Sequence, residues 1–317
     1  MNTYLVAGGA GFIGACLCEE LLEKGDRVIC VDNLITGSKE NIVPYLKHPN
    51  FIFLDQNVTE KFVVANEVSG IFHLASPASP NSKSPRSYIA FPVETLLVNS
   101  IGTYNLLELA KKKHARFVYA STSEVYGDPA VSPQPETYFG NVNPNGVRSM
   151  YDEGKRFGEA MSMTYYRKFG VNVRIMRIFN TYGPKMQKDD GRVISNFITQ
   201  ALTGEPITIY GDGLQTRSFC YVKDLVDGII RLMEEQQAKG EVVNLGNPTE
   251  HTIKQIAAIV KKLTDSNSKI VYEDLPEDDP KKRKPDISKA EALLGFVPKR
   301  SLESGLEKTI EYFRSKI

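Results

Sequence analysis

Gly8-Gly9-Ala10-Gly11-Phe12-Ile13-Gly14 lies between a short apolar run, Thr3–Ala7, and a stretch of helical spacing, Phe12–Lys24, whose Leu17, Leu21 and Leu22 fall on one side. A glycine turn that feeds a helix offers free backbone N–H groups to an anion, at the end where the helix dipole favours negative charge. The positions must be bare. A side chain at Gly8 or Gly11 would block the turn or the approach of a pyrophosphate, and Gly14 lets the helix lie close to the strand. The spacing is G-x-x-G-x-x-G, one residue different from G-x-G-x-x-G. Its weight comes from its place at the first strand–helix junction of the chain. A second strand, Arg27–Val31, ends at Asp32, 18 residues after Gly14. An acid there accepts hydrogen bonds from ribose hydroxyls and repels a 2′-phosphate, so NAD is expected rather than NADP, although Arg27 and Lys39 lie nearby. A turn-forming role at the strand end is the other reading of Asp32.

The same alternation runs onward. Phe51–Leu54 and Gly70–Leu74 read as strands, Val93–Lys113 as one long helix, Phe117–Ala120 as a strand, Ser149–Phe169 as a helix and Val171–Met176 as a strand. Short apolar strands separated by helices predict an α/β fold, a Rossmann-type doubly wound parallel sheet covered on both faces. After about residue 180 the pattern changes to Gly-Pro pairs, shorter helices and charged loops. Asp224–Met233 reads as a helix and Val242–Leu245 as a strand returning to the first sheet. Ile253–Leu263 and Leu302–Phe313 read as helices of a smaller C-terminal substrate-binding domain. The expected division is residues 1–180, with about 218–247 returning to the sheet, as the NAD-binding domain, and 181–217 with 248–317 as the second.

Composition limits the alternatives. The chain has 317 residues, 41% of them apolar, enough for a large core, and 39 basic against 38 acidic residues. That balance gives no reason to invoke nucleic acid or an anionic membrane surface. The dense basic run Lys281–Lys284 follows Glu277-Asp278-Asp279 and reads as a solvated loop. Cys16, Cys18, Cys30 and Cys220 form no Cys-x-x-Cys pair and have no His at ligand spacing, so no metal is expected and free thiols in a reducing compartment fit. With no leader pattern and no spanning-length apolar run, the expected location is cytoplasmic.

Tyr151 and Lys155 stand i, i+4 on a predicted helix and share a face. A nearby ammonium favours the phenolate, so Tyr151 is expected to take a hydroxyl proton while hydride leaves the same carbon. The spacing alone means little, since Tyr312 and Lys316 repeat it near the C-terminus. The segment Ala120-Ser121-Thr122-Ser123-Glu124-Val125-Tyr126-Gly127 gives it context. Ligands in such sheets bind beyond strand C-termini, so Thr122, after the strand Phe117–Ala120, is placed at the mouth with a hydroxyl to share.

These motifs together resemble the extended short-chain dehydrogenases/reductases of the NAD-dependent epimerase/dehydratase family that act on nucleotide sugars, and within them the UDP-glucuronate decarboxylases (UDP-xylose synthases). The resemblance covers essentially the whole chain. It is carried by His73–Pro80, Ser121–Asp128, Tyr151-Asp152-Glu153-Gly154-Lys155-Arg156 and Arg177–Pro184. It continues in Asp190–Val193, Gln215–Phe219, and Asp278-Asp279-Pro280 through Arg283-Lys284-Pro285-Asp286-Ile287-Ser288. It implies that NAD oxidises C4 of the glucuronate, that CO₂ leaves from C5, and that the hydride returns to give UDP-xylose, with no external redox partner.

The resemblance also assigns roles. Thr122, Ser123, Glu124, Tyr151, Lys155 and Arg217 are the implied catalytic set. Gly8, Gly11, Phe12, Ile13, Gly14, Asp32, Asn33, Asn57, Val58 and Leu74 hold the cofactor, with Tyr151 and Lys155. Ser79, Glu124, Asn180, Arg192, Tyr210, Arg217 and Arg283 hold the UDP-sugar. A carboxylate at Glu124 repels a substrate carboxylate unless protonated or bridged by a cation, a place for Arg217; an ion pair of Arg217 with Asp212 or Asp224 is the alternative. Whether Glu124 or Arg217 protonates C5 stays open. The chain departs from the family pattern at Asn57, where Asp is usual, and in the loop Asn81–Ser87. The resemblance also implies a homodimer. Rival readings are another nucleotide-sugar 4-epimerase or 4,6-dehydratase, and a non-catalytic NAD-binding regulator.

Overall fold

A computed structural model describes residues 1–82, 84–274 and 283–317. Glu277-Asp278-Asp279, Pro280 and Lys281-Lys282, parts of the acidic and basic runs quoted above, lie outside the described residues.

Seven strands form the main sheet: β1 (Thr3–Ala7), β2 (Arg27–Asp32), β3 (Phe51–Asp55), β4 (Gly70–His73), β5 (Arg116–Thr122), β6 (Val173–Ile178) and β7 (Val242–Leu245). All pairings are parallel and the order is β3-β2-β1-β4-β5-β6-β7. The order reverses between β1 and β4, which opens a crevice at the strand C-termini, where doubly wound sheets bind ligands.

Alternation along each strand divides the core in two. Val6, Cys30, Phe72, Val118 and Met176 face a cluster that includes α1 (Phe12–Glu23). Leu5, Ile29, Ile71, Phe117 and Ile175 face the opposite cluster. Helices on that side are α2 (Pro92–Leu97), α3 (Thr103–Lys113) and α4 (Ser149–Phe169). Burial of both faces explains why the strands read as near-continuous apolar runs. A third cluster packs α5 (Val193–Thr203), α7 (Ile253–Thr264) and α9 (Leu302–Arg314), while α6 (Val222–Glu234) and α8 (Ser288–Leu294) lie on the first face.

Three features differ from the sequence reading. Strand β6 begins at Val173, whose N–H reaches back to the carbonyl of Val171, so the strand lies two residues later than Val171–Met176. Val93–Lys113 is not one regular helix: a wide π-type turn, Val98–Gly102, joins α2 to α3. Side chains compete there for backbone carbonyls, with Asn99 donating to Thr95 (2.8 Å), Ser100 to Leu96 (2.6 Å) and Thr103 to Asn99 (2.8 Å). Finally, three two-stranded ladders join distant segments: Ile207–Tyr210 with Ile270–Glu273, Thr216–Ser218 with Glu250–Thr252, and Thr181–Tyr182 with Cys220–Tyr221. The region read as loops and short helices is therefore sewn by strands too short to show a period. Cys16, Cys18, Cys30 and Cys220 are free and buried.

Candidate active site

The glycine turn is built as its spacing requires. Gly8 has φ +82°, and a Cβ on it would meet the Ala75 amide nitrogen at 2.7 Å. A Cβ on Gly14 would lie 2.0 Å from the Gly8 carbonyl oxygen, so this glycine seats α1 on the turn. Gly11 has only that same oxygen near it, at 3.2 Å, and faces the cleft. Its bareness leaves room for a ligand rather than for the protein. The first-turn amides of Phe12, Ile13 and Gly14 are donors that no intrahelical carbonyl can reach.

Asp32 builds the turn that its position at the strand end suggested. One carboxylate oxygen takes the Ala10 N–H (2.9 Å) and the other the Leu34 N–H (2.8 Å), tying the glycine turn to the turn after β2. Each oxygen keeps a lone pair for a ribose hydroxyl. Burial pushes the Asp32 carboxyl upward, and the two amides oppose that. The cleft beside it, about 750 Å³ counted to its open mouth, is lined by Gly8, Asp32, Asn33, Asn57, Val58 and Leu74 among others. Asn57 spends its Oδ1 on the Thr59 N–H (3.0 Å). A bare turn, free first-turn amides, a buried acid and an apolar slot fit a dinucleotide.

At the C-terminal end of β5, Thr122 caps a single 3₁₀ turn, Ser123–Tyr126, by accepting the Glu124 N–H (3.3 Å). Tyr151, in the first turn of α4, is buried, and the Thr122 side chain acts on its hydroxyl to favour the ionised form. Its ring stacks on Tyr88 with centroids 4.7 Å apart and planes 10° from parallel. Lys155 lies one turn on, donating to the Ala120 carbonyl (2.9 Å), with its Nζ 5.8 Å from the Tyr151 ring centre. Burial outweighs the acidification expected of the phenol. Burial pushes Tyr151 up to about 12 against the Thr122 side chain, and burial brings Lys155 down to about 7. Neither charge is well solvated there, so burial moves each group toward its neutral form.

The segment is braced from behind. Glu159 accepts from Ser121 (2.5 Å) and pairs with Arg177 (2.8 Å), which donates to the Tyr126 hydroxyl (3.0 Å). Tyr126 in turn donates to Asn244 on β7 (2.7 Å). In front, Glu124 is clamped by two guanidiniums. Arg283 grips both its oxygens, through Nη1 and Nη2 (the latter 2.7 Å), and Arg148 grips one. The clamp overcomes burial and holds the Glu124 carboxyl below its usual range.

The other expected residues are distributed around this centre. Arg217 contributes to the field on Glu124, and its Nη1 donates to the Thr216 carbonyl (2.9 Å). The cation in fork contact with Glu124 is thus Arg283, which the sequence reading had given to the diphosphate. Arg192 donates to the Ala78 carbonyl (2.9 Å), and Ser79 donates to the Asp190 carbonyl. Asn180 accepts the Cys220 N–H (2.9 Å), and the Tyr210 carbonyl accepts from Gln215 (2.7 Å). Ser123 is buried within the 3₁₀ turn. Sequence reasoning missed Arg148 and Tyr88. Arg148 stands three residues before Tyr151, so helical spacing carried a signal for it; nothing local marked Tyr88. Among the described residues no cluster of three or more His, Cys, Asp or Glu is arranged to hold a metal ion.

A family model described as "NAD dependent epimerase/dehydratase family" matches residues 4–246. The chain is 53% identical to UDP-glucuronic acid decarboxylase 4 of Arabidopsis thaliana, over 99% of this chain and 69% of that one. It is 51% identical to UDP-glucuronic acid decarboxylase 1 of Xenopus tropicalis, over 99% and 72%. Among solved structures it is similar to UDP-glucuronic acid 4-epimerase from Bacillus cereus in complex with UDP-glucuronic acid and NAD, with TM-score 0.89 and 29% identity over 99% of this chain and 100% of that one.

Proposed function

The chain belongs to the NAD-dependent epimerase/dehydratase family, and from that premise we infer that it decarboxylates UDP-glucuronate to UDP-xylose. The observation that carries the inference is the adjacency of two devices: an oxidation set, Thr122, Tyr151 and Lys155, and a buried carboxylate under a double arginine clamp, Glu124 with Arg283 and Arg148. Bound NAD supplies a hydride acceptor that later becomes the donor. Tyr151, influenced by the Thr122 side chain, takes the proton of the C4 hydroxyl and returns it at the end. Lys155, with its Nζ 5.8 Å from the Tyr151 ring centre, is the cation that would favour the phenolate against the cost of burial. With C4 a ketone, the C5 carboxylate is β to a carbonyl, so CO₂ can leave while the pair of the broken C5–carboxyl bond stays on the sugar as an enolate.

Glu124, Arg283, Arg148 and Arg217 then set the charge around the reacting carbon. A substrate carboxylate entering here meets cations already committed to Glu124, so the two carboxylates compete for them. That competition favours either loss of charge as CO₂ or a proton on Glu124, which makes it a donor for C5. Asn180, Arg192 and Tyr210 are the proposed contacts for the uridine diphosphate. The free, buried thiols support a reducing compartment, the cytoplasm.

A homodimer is proposed from Val93, Leu96, Leu97, Ile101 and Tyr104, which line one exposed face of α2–α3, with Phe157 exposed on α4. A second copy of the same face is its occupant, and light scattering of the full chain tests it. The reaction is tested by mass spectrometry of products from UDP-glucuronate and NAD. CO₂ with UDP-pentose is expected; UDP-galacturonate would mark an epimerase instead.

A further inference from the structure

The loop after β4 departs from the family pattern in sequence, and the structure gives it a partner on each side. Arg86 donates from Nη1 to the Thr36 carbonyl (3.2 Å) and from Nε to both carboxylate oxygens of Asp189 (3.3 Å each). Ser84 donates to the Asp189 carbonyl (2.7 Å). Gln187, from the same segment as Asp189, donates to the same Thr36 carbonyl (3.2 Å). Three loops that are distant in sequence therefore meet at one carbonyl, that of Thr36.

Thr36 lines the dinucleotide cleft beside Asp32, and Ala75 to Pro77, at the root of the Arg86 loop, line its other wall. A bridge from Arg86 to Thr36 ties one wall of the cleft to the other, and Asp189 fastens that bridge to the segment after β6. We propose that Arg86 and Asp189 form a clasp that retains the nicotinamide cofactor through the catalytic cycle. The need for retention comes from the chemistry. The hydride taken from C4 must be returned to the same molecule. If the reduced cofactor leaves after CO₂ is lost, the other product is a UDP-4-keto-pentose, oxidised by the two electrons the cofactor carries away. A closure reaching Thr36 from another loop slows that escape, and its hydrogen bonds use none of the residues proposed to hold the sugar.

The inference rests on the cofactor reading of the cleft, and the test separates the two. The chain has no Trp, so emission of NADH itself is the readout. The full-length protein is loaded with NADH, chased with excess NAD in a stopped-flow instrument, and the release rate compared for the native protein, Arg86→Ala, Asp189→Ala and the double variant. UDP release from the same proteins is the control. Arg86→Ala is expected to release NADH about tenfold faster, the factor carried by one charge-assisted hydrogen bond. Asp189→Ala should do the same, and the double variant should add little, because either change opens the one closure. UDP release should stay within about twofold of native. Unchanged NADH release in both single variants overturns the clasp. So do fully additive effects, or equal acceleration of NADH and UDP, which would mean general loosening. A native protein that binds no NADH would instead sink the cofactor reading.

Discussion

Glu124 is where one charge is expected to matter most. Side-chain exposure is 13% for Glu124, 9% for Arg283 and 15% for Arg148, so the three charges interact with little water between them. Glu124→Gln keeps the shape and removes the charge, leaving two buried guanidiniums against a neutral amide. Removing one partner of a buried pair costs about 3–5 kcal/mol. At roughly 2 °C per kcal/mol for a long chain, Tm should fall by about 6–10 °C at pH 7. The pH dependence has a definite sign. The Glu124 carboxyl is depressed in the folded protein. Its contribution is therefore present above the unfolded value, near pH 4.5, and is lost as pH falls through the folded value. Scanning calorimetry from pH 7 downward should show native and variant curves converging at the acid end. UDP-glucuronate should raise the variant's Tm more than the native protein's, because its carboxylate replaces the missing counter-charge. A variant melting within about 1 °C of native at pH 7 would refute the electrostatic account. A gap that stays constant into acid would assign the loss to packing.

Tyr151→Phe removes the group that takes the hydroxyl proton, so turnover of UDP-glucuronate should drop by about 10²–10⁴ while NAD binding, followed by calorimetry, is kept. Gly14→Ala places a methyl 2.0 Å from the Gly8 carbonyl oxygen and should lower both Tm and NAD affinity. Gly11→Ala, with 3.2 Å of room, should lower NAD affinity with a much smaller change in Tm. Lys155 is brought down to about 7 by burial, so between about pH 7 and its unfolded value near 10.5 the unfolded chain holds the extra proton. Stability of the cofactor-free protein should therefore gain with pH across that window relative to Lys155→Met, read as the difference in Tm between pH 7 and pH 9.

What the sequence made legible was whatever repeats at short range. Strands β1 to β5 and helix α1 could be read because short apolar runs and helical spacing each show within about ten residues, and the glycine turn because its chemistry forbids side chains. The break between α2 and α3 could not, since Asn99 and Ser100 look like any polar helix face until their side chains are seen bonding to Thr95 and Leu96. The ladder of Thr216–Ser218 with Glu250–Thr252 is three residues deep, too short to carry a pattern. The clamp on Glu124 joins residues 159 positions apart, a distance over which no local rule acts. The Tyr151–Lys155 spacing gave the pair but not its protonation, which depends on how much water the folded chain excludes.

The seventh strand has a consequence for the protein as a manufactured object. Because Val242–Leu245 hydrogen-bonds along β6 and arrives only after the chain has left the sheet, any product truncated near residue 180 would present β6 as a naked border. A ribosome-released fragment of that kind is a template for stacking against its own kind. Protein engineers dividing this gene into halves should expect inclusion bodies from the first half unless the later strand is supplied alongside it.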